Sequence, residues 1–260
     1  HVTVVNVPKA AKEVFFGYEM RSLFTASEGR LLVGHDADGL ELRMLAHYMD
    51  DPDFTRAILS GRKEDGTDIH TLNQKLAGLP TRDAAKTFIY ALIYGAGDEK
   101  LGSIVGGSNR DGADIRNRFL SNLPSLKKLI ERVKRASRKG YLKGLDGRKV
   151  WMRKDPLTGK IMEHKALNTL LQSAGAIVMK KSMVILDISV RAQTSMHYGT
   201  WPILKVLDMH DEAQADVIPG YVEQYKILAV NSVVDAGKHF NLKIPLAASA
   251  SEGVNWSDTH

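Results

Sequence analysis

Not one of the 260 residues is a cysteine. Disulfides and thiolate metal sites are therefore excluded, and any metal must be held by oxygen or imidazole ligands. No apolar run is long enough to cross a bilayer, no segment repeats, and no low-complexity tract interrupts the chain. The first residues lack the charged start and apolar core of a secretory signal, and the chain opens on His1 without an initiator methionine, as a fragment or processed piece would. What is present reads as ordinary globular sequence. With 43% hydrophobic and 25% charged residues, the chain can bury a substantial core in one large domain or two smaller ones. A net charge of +6 suits a polyanionic partner, although proteins that bind no nucleic acid often carry a similar excess.

Local patterning supplies the organisation. Arg30-Leu-Leu-Val-Gly-His-Asp36 reads as a short buried strand, and Gly39 to Met49 then places Leu40, Leu42, Leu45, Ala46 and Met49 at helical spacing. Thr81 is a candidate N-cap for a helix from Arg82 to Tyr94, closed by Gly95 and Gly97. Leu123 to Lys139 reads as an amphipathic helix with Lys127, Lys128, Arg132, Lys134, Arg135, Arg138 and Lys139 on its wet face, where a solvated surface is favoured over a nucleic-acid contact. Gly144-Leu-Asp-Gly147 reads as a turn, and Ala166 to Met183 as another helix. Ile203 to Val217 alternates as two short strands with Met209-His-Asp-Glu212 at their junction, which puts Asp211 near a hairpin tip.

Two constellations carry chemistry. Arg82, Lys86, Tyr90 and Tyr94 recur every four residues along one helix face. That stripe is roughly 18 Å long at ~1.5 Å per residue, a fit to a nucleoside triphosphate with cations at one end for phosphate and aromatic rings at the other for sugar and base. A charged helix end followed by two core tyrosines is the plain alternative. Asp36 and Asp211 each stand where a strand ends. Two carboxylates side by side repel unless a cation lies between them, and phosphoryl transfer by two magnesium ions about 3.5–4 Å apart needs such a pair. Either aspartate taken singly would pass for a solvated turn residue.

Asp36-Ala-Asp-Gly-Leu-Glu-Leu-Arg43 resembles motif A of the family A DNA polymerases, the bacterial DNA polymerase I group. Arg82-Asp-Ala-Ala-Lys86-Thr-Phe-Ile-Tyr90-Ala-Leu-Ile-Tyr94-Gly95 is similar to its motif B and His210-Asp211-Glu212 to its motif C, in the family's order. Asp68-Ile-His-Thr71, Lys143-Gly-Leu-Asp-Gly-Arg-Lys149 and Ala166-Leu-Asn-Thr-Leu-Leu-Gln-Ser-Ala-Gly175 look most like the replicative polymerases of short-tailed phages related to the T-odd coliphages. The resemblance covers essentially the whole chain. It implies an α+β class and a right-hand polymerase fold, with an antiparallel palm sheet and inserted helical fingers. Residues 1–60 would be the first part of the palm, 61–140 the fingers and 141–260 the second part of the palm.

The same resemblance implies the chemistry: addition of deoxynucleoside triphosphates to a primer 3′ end on template DNA, with two Mg²⁺ ions and release of pyrophosphate. Asp36 and Asp211 would bind both metals, with the backbone carbonyl of Ala37 contributing to one and Glu212 a supporting acid. Arg82 and His70 would hold the outer phosphates, and Lys86 would bind near the α-phosphate as the general acid for pyrophosphate. Tyr90 would pack against the deoxyribose, its hydroxyl able to stand in for the missing 3′-hydroxyl of a dideoxynucleotide. Tyr94 would stack at the template side of the insertion site. Glu41 matches the steric gate that fills the space of a ribose 2′-hydroxyl and accepts a hydrogen bond from Tyr94. Asn168, Gln172 and His210 match residues at the primer-template minor groove, where acceptors common to all correct pairs permit a geometry check without reading sequence. For His70 and His164 a packed or surface histidine is the plain alternative.

Departures from the family pattern qualify this. A thumb, and the 3′–5′ exonuclease the family often carries, cannot fit in the thirty-five residues before Asp36. The expectation is palm and fingers only, with His1 and Asn6-Val-Pro-Lys9 as the tail of a thumb-to-palm link, and a thumb- or exonuclease-bearing partner chain is implied. Asp38 stands where serine is frequent and adds negative charge near the metals. Two rival functions follow: a catalytically idle DNA-binding subunit that needs such a partner, and a relative of the single-subunit phage RNA polymerases, against which Glu41 and Glu212 argue. A phage protein acting in the cytoplasm of a bacterial host, without membrane association, is the expected setting.

Overall fold

The computed structural model describes residues 4–11, 14–195 and 200–259, so His1 lies outside the described residues. In chain order the elements are α1 (Gly17–Ser22), β1 (Leu31–Ala37), α2 (Leu40–Met49), α3 (Pro52–Leu59), α4 (Ile69–Ala77), α5 (Arg82–Ile93), α6 (Asp98–Ser103), α7 (Asn109–Asn122) and α8 (Pro124–Ser137). There follow β2 (Tyr141–Lys143), β3 (Lys149–Trp151), α9 (Ala166–Gln193), β4 (Ile203–Met209), β5 (Glu212–Val217), α10 (Val222–His239) and β6 (Ala248–Gly253). They fall into two compact units, one made of His1–Leu40 with Ala176–His260 and the other of Glu41–Gly175.

The first unit is built on a four-stranded antiparallel sheet in the order β4-β5-β1-β6. Leu32, Val33, Gly34 and His35 of β1 are buried in succession, as a strand covered on both faces requires. On one face Val33, Ala215 and Val217 pack against Leu186 and Val190 of α9 and Tyr225 and Ala229 of α10. On the other, Leu32 packs with Val7 and Trp256, flanked by Met20 and Met209. Gly34 has a specific reason to lack a side chain: a Cβ there would fall 2.4 Å from Gln214 Nε2 on the neighbouring strand. The strand and hairpin readings from sequence match β1, β4 and β5, with Asp211 between the last two.

The second unit is helical apart from the β2–β3 hairpin. Thr81 caps α5 by accepting from the Ala84 N–H at 3.1 Å, and Asp68 caps α4 by accepting from the His70 N–H at 3.0 Å. Phe88 of α5 meets Phe119 of α7 edge to face, ring centroids 5.3 Å apart, at the centre of the packing. Gly112 lets α7 lie against α6, since a Cβ there would stand 1.9 Å from the Asp98 carbonyl oxygen.

One expectation needs correction. The helix read as ending at Met183 runs on to Gln193. The β-branched residues Val184, Ile185, Ile188 and Val190 weaken helical propensity, yet Leu186 and Val190 land on the face that packs against the sheet, and burial outweighs propensity.

Candidate active site

The sheet unit builds the carboxylate pair through its register. Asp36 is opposite Glu212 in the β1–β5 ladder, and the Ala37 N–H donates to the Asp211 carbonyl oxygen at 3.0 Å. Asp36 near the end of β1 and Asp211 immediately before β5 therefore lie on neighbouring strands at one end of the sheet, the first exposed and the second half-buried. His210 and Asp211 form the two-residue loop between the paired Met209 and Glu212. Of the two, only His210 takes a positive φ, 57°, a conformation suited to tight hairpins but costly outside glycine. Asp38 donates its N–H to the Ala247 carbonyl oxygen at 2.9 Å and accepts from Ser249 Oγ at 3.2 Å. Beside Asp36, His35 is buried with both ring nitrogens lacking a hydrogen-bond partner. Burial pushes its pKa down to about 4 against the opposing pull of Asp208 and Glu212, so it offers no positive charge at neutral pH.

Glu212 is differently placed from the two aspartates. It is buried, and its carboxylate accepts from the Trp256 indole N–H and from Gln214 Nε2 at 2.7 Å, with the Arg21 guanidinium 3.8 Å away. Arg21 also lies 4.2 Å from the Trp256 ring centroid and donates from Nε to the Pro8 carbonyl oxygen at 3.0 Å, while Thr259 Oγ1 donates to Gln214 Oε1 at 3.2 Å. This buried polar network anchors the first residue of β5 and with it the loop that carries Asp211. Sequence reasoning missed Arg21, Gln214, Trp256 and Thr259. Nothing local marks them, because each is defined by a partner on another strand or loop.

The helical unit carries the other constellation. Ala85, Phe88, Ile89, Leu92 and Ile93 form the buried face of α5, and Arg82, Lys86, Tyr90 and Tyr94 run along its flank and out towards the surface. Lys86 and Tyr94 are exposed, and Arg82 and Tyr90 half-buried. The two tyrosines are thus not core residues. Arg82 is held by Asp68 through Nε at 3.1 Å and Nη2 at 2.9 Å, a forked contact that fixes the plane of the guanidinium. For Asp68, burial works against ionisation. Hydrogen bonds from Arg82, Thr71 and the His70 backbone, with the Arg82 charge, outweigh it and hold the carboxyl at about 2. The anchoring role of Asp68 was also missed, although its position as an N-cap before Ile69 was a legible signal.

His70 lies with its ring centroid 6.4 Å from that of Tyr90, and burial, then the charges of Arg82 and Lys86, lower its pKa and keep it neutral. Its Nδ1 is buried without a partner. At the far end of the stripe the Tyr94 hydroxyl donates to Glu41 at 3.0 Å, the contact that the resemblance implies. Asn168 and Gln172 stand one turn apart at the start of α9, the first half-buried with its Oδ1 lacking a hydrogen-bond partner and the second exposed. His164 is exposed in the turn before α9.

Comparison with known proteins adds the following. The family model for DNA polymerase family A matches residues 3–258. The DNA-directed DNA polymerase of Escherichia phage Phieco32 is 44% identical over 254 residues, 88% of this chain and 40% of that protein. The DNA-directed DNA polymerase of Escherichia phage T7 is 36% identical over 87% of this chain and 33% of its own length. DNA polymerase I of Deinococcus radiodurans is 28% identical over 98% of this chain and 26% of its own. Among solved structures, the POL domain of Pol1 from M. smegmatis, in complex with DNA primer-template and dNTP, aligns with a TM-score of 0.82 at 21% identity, covering 99% of this chain and 45% of that one. The chain thus spans two fifths or less of the curated relatives described.

Proposed function

The chain belongs to DNA polymerase family A, and we propose that it carries the chemical centre of template-directed DNA synthesis, adding deoxynucleotides to a primer 3′ end with release of pyrophosphate. The observation that supports this best is the placement of Asp36 and Asp211 on neighbouring antiparallel strands at one end of the sheet. Among the described residues no three Asp, Glu or His side chains gather as a metal-holding group. Magnesium does not need one, because it is commonly held by one or two carboxylates and completes its shell with water and substrate phosphate. Two such ions fit this donor set, with Asp36, Asp211 and the Ala37 carbonyl as the protein's ligands. When bound, they polarise the attacking hydroxyl and the transferred phosphate.

The remaining roles belong to side chains. Arg82, its plane set by Asp68, and the neutral ring of His70 bind the outer phosphates of the incoming nucleotide. With Nδ1 buried, Nε2 is the His70 atom open to a ligand. Lys86 holds the proton that neutralises the leaving pyrophosphate, and Tyr90 supports the deoxyribose. Glu41, fixed by the Tyr94 hydroxyl, fills the 2′ position and selects against ribonucleotides, while Tyr94 covers the template side. Asn168, Gln172 and His210 meet minor-groove acceptors of the primer-template. Glu212, with its carboxylate bound to buried partners, supports the metal pair by holding the hairpin. In this reading residues 1–60 and 141–260 act as palm and 61–140 as fingers, and the setting is the cytoplasm of a bacterial host. Among the described residues no helix is long and apolar enough to cross a membrane.

The test is primer extension with magnesium at low salt, since phosphate contacts dominate DNA affinity and weaken steeply with salt. Replacing Asp211 by Asn should cost at least about a thousandfold in rate, because the ions contribute several kcal/mol at ~1.4 kcal/mol per tenfold. An Asp211→Asn variant as active as the parent would sink the metal assignment.

A further inference from the structure

The β2–β3 hairpin of the helical unit plays no part in the chemistry above. Its register pairs Tyr141 with Trp151 and Lys143 with Lys149. Residues alternate faces along a strand, so these four side chains share one face while Leu142 and Val150 share the other. Leu142 is 3% exposed and Trp151 68%, which identifies the aromatic and lysine face as the outward one. The Tyr141 and Trp151 rings meet edge on, centroids 5.6 Å apart. Lys139, just before β2, places its ammonium 4.6 Å from the Tyr141 centroid, and Lys149 lies 4.9 Å from Tyr141 and 5.9 Å from Trp151. These distances are within the range where a cation and a ring face attract.

At the hairpin loop Arg148 is paired with Asp146 at 2.6 Å. Lys139, Lys143 and Lys149 make no ion pair with a carboxylate among the described residues. A cross-strand aromatic pair stabilises a hairpin by itself, and that purpose requires neither an open tryptophan nor three uncompensated ammonium groups around it. An exposed ring bordered by cations is the arrangement that binds single-stranded nucleic acid, a base stacking on the ring and phosphates meeting the lysines; Trp151 is that ring, while Tyr141 is half-buried. We propose that the outward face of residues 139–151 is a binding platform for single-stranded DNA, with Trp151 the stacking residue and Lys139, Lys143 and Lys149 the phosphate contacts. The platform requires neither metal nor nucleotide, and it goes beyond the polymerase reading.

The experiment measures fluorescence anisotropy of a labelled oligothymidylate of about a dozen nucleotides against the whole chain, without divalent metal or nucleotide. Trp151→Ala should weaken binding on the order of tenfold, the loss of one stacked base. Trp151→Phe, which keeps a ring and the hairpin pair, should retain most of the affinity. A Lys139→Gln, Lys149→Gln double variant should bind more weakly and lower the slope of log affinity against log salt by about 1.4, roughly 0.7 for each lost phosphate contact on a single strand. Far-UV circular dichroism checks that each variant is folded. Equal binding by parent, Trp151→Ala and the double variant overturns the proposal. Binding that depends on the lysines but not on Trp151, and that polyglutamate displaces as readily as oligothymidylate, points to an acidic peptide and overturns it too. Loss of oligonucleotide binding with Trp151→Ala supports this proposal whether or not the chain extends a primer, so its failure and that of the polymerase reading are distinguishable.

Discussion

Asp36 and Asp211 are 175 positions apart (211 − 36) and meet through strand register and a buried polar network, whereas Arg82, Lys86, Tyr90 and Tyr94 are aligned by a single twelve-residue helix and its C-cap. The two units therefore depend on sequence in different ways. In the sheet, a one-residue slip would turn every side chain of β1 to the wrong face, and a β1 slip against β5 would separate the aspartates. On the helix, each stripe residue keeps its place as long as α5 exists, and one ion pair orients the cation at its end. The sheet unit should accordingly be fragile to the loss of a remote partner, and the helical unit tolerant of it.

The largest effect that could break this contrast is at Arg21. Its side chain and that of Glu212 are both nearly inaccessible, and burial works against the Arg21 charge while Glu212 sustains it. Arg21→Met leaves Glu212 charged and buried without its cation, which should cost about 3–5 kcal/mol. Adding Glu212→Gln should recover much of that loss, because an amide needs no counter-charge. Chemical denaturation of the parent, the single and the double variants reads both numbers. A loss below about 1 kcal/mol would mean that the hairpin does not depend on this network.

Asp68→Asn is the matching perturbation in the helical unit, with a smaller expected effect. The folded carboxyl is held at about 2 against an ordinary 3.8, so ionised Asp68 favours the fold. The sign follows from a lowered pKa: the stabilisation is complete above about pH 4 and is lost as pH falls through about 2. At neutral pH the difference should be about 2 kcal/mol. The parent and Asp68→Asn stabilities should converge by pH 2. A gap that is constant with pH would show that the loss comes from packing or capping instead of from the charge on Asp68.

The same contrast explains what the sequence made legible. The α5 stripe, its Thr81 cap and the strands around His210-Asp211 were readable because periodicity and capping are local properties. β6 was not, since Ala-Ser-Ala-Ser-Glu-Gly has neither an apolar alternation nor β-branched residues and owes its strand conformation to pairing with β1. Trp256 gave no hint of its bond to Glu212, 44 positions away. Arg21 is more distant still, in a short α1 whose burial is set by Glu212 and Trp256. The motif residues could be named from resemblance, but the groups that hold them in place could not.

Within the helical unit a sharper test separates a residue that is held from one that acts. The Tyr94 hydroxyl fixes Glu41 at 3.0 Å, and a hydrogen bond to a charged group contributes about 1.5–3 kcal/mol. Glu41→Ala removes the partner of Tyr94 and, with it, the bulk that the proposed gate requires. Ribonucleotide incorporation relative to deoxyribonucleotide should rise by at least about tenfold at ~1.4 kcal/mol per decade, measured by competing the two substrates in single-nucleotide primer extension. An unchanged ratio would remove the gate assignment while leaving the carboxylate site untouched.

Tyr90→Phe should have the smallest effect, because it deletes one oxygen and keeps the ring that faces His70 at 6.4 Å. If the hydroxyl supports the sugar by standing in for an absent 3′-hydroxyl, the parent should accept dideoxynucleotides nearly as well as deoxynucleotides. The phenylalanine variant should then disfavour them by about fivefold, the worth of one neutral hydrogen bond of ~1 kcal/mol. Deoxynucleotide incorporation should stay close to that of the parent, since the substrate's own 3′-hydroxyl is then present. A Tyr90→Phe enzyme with unaltered terminator discrimination would return Tyr90 to a packing role.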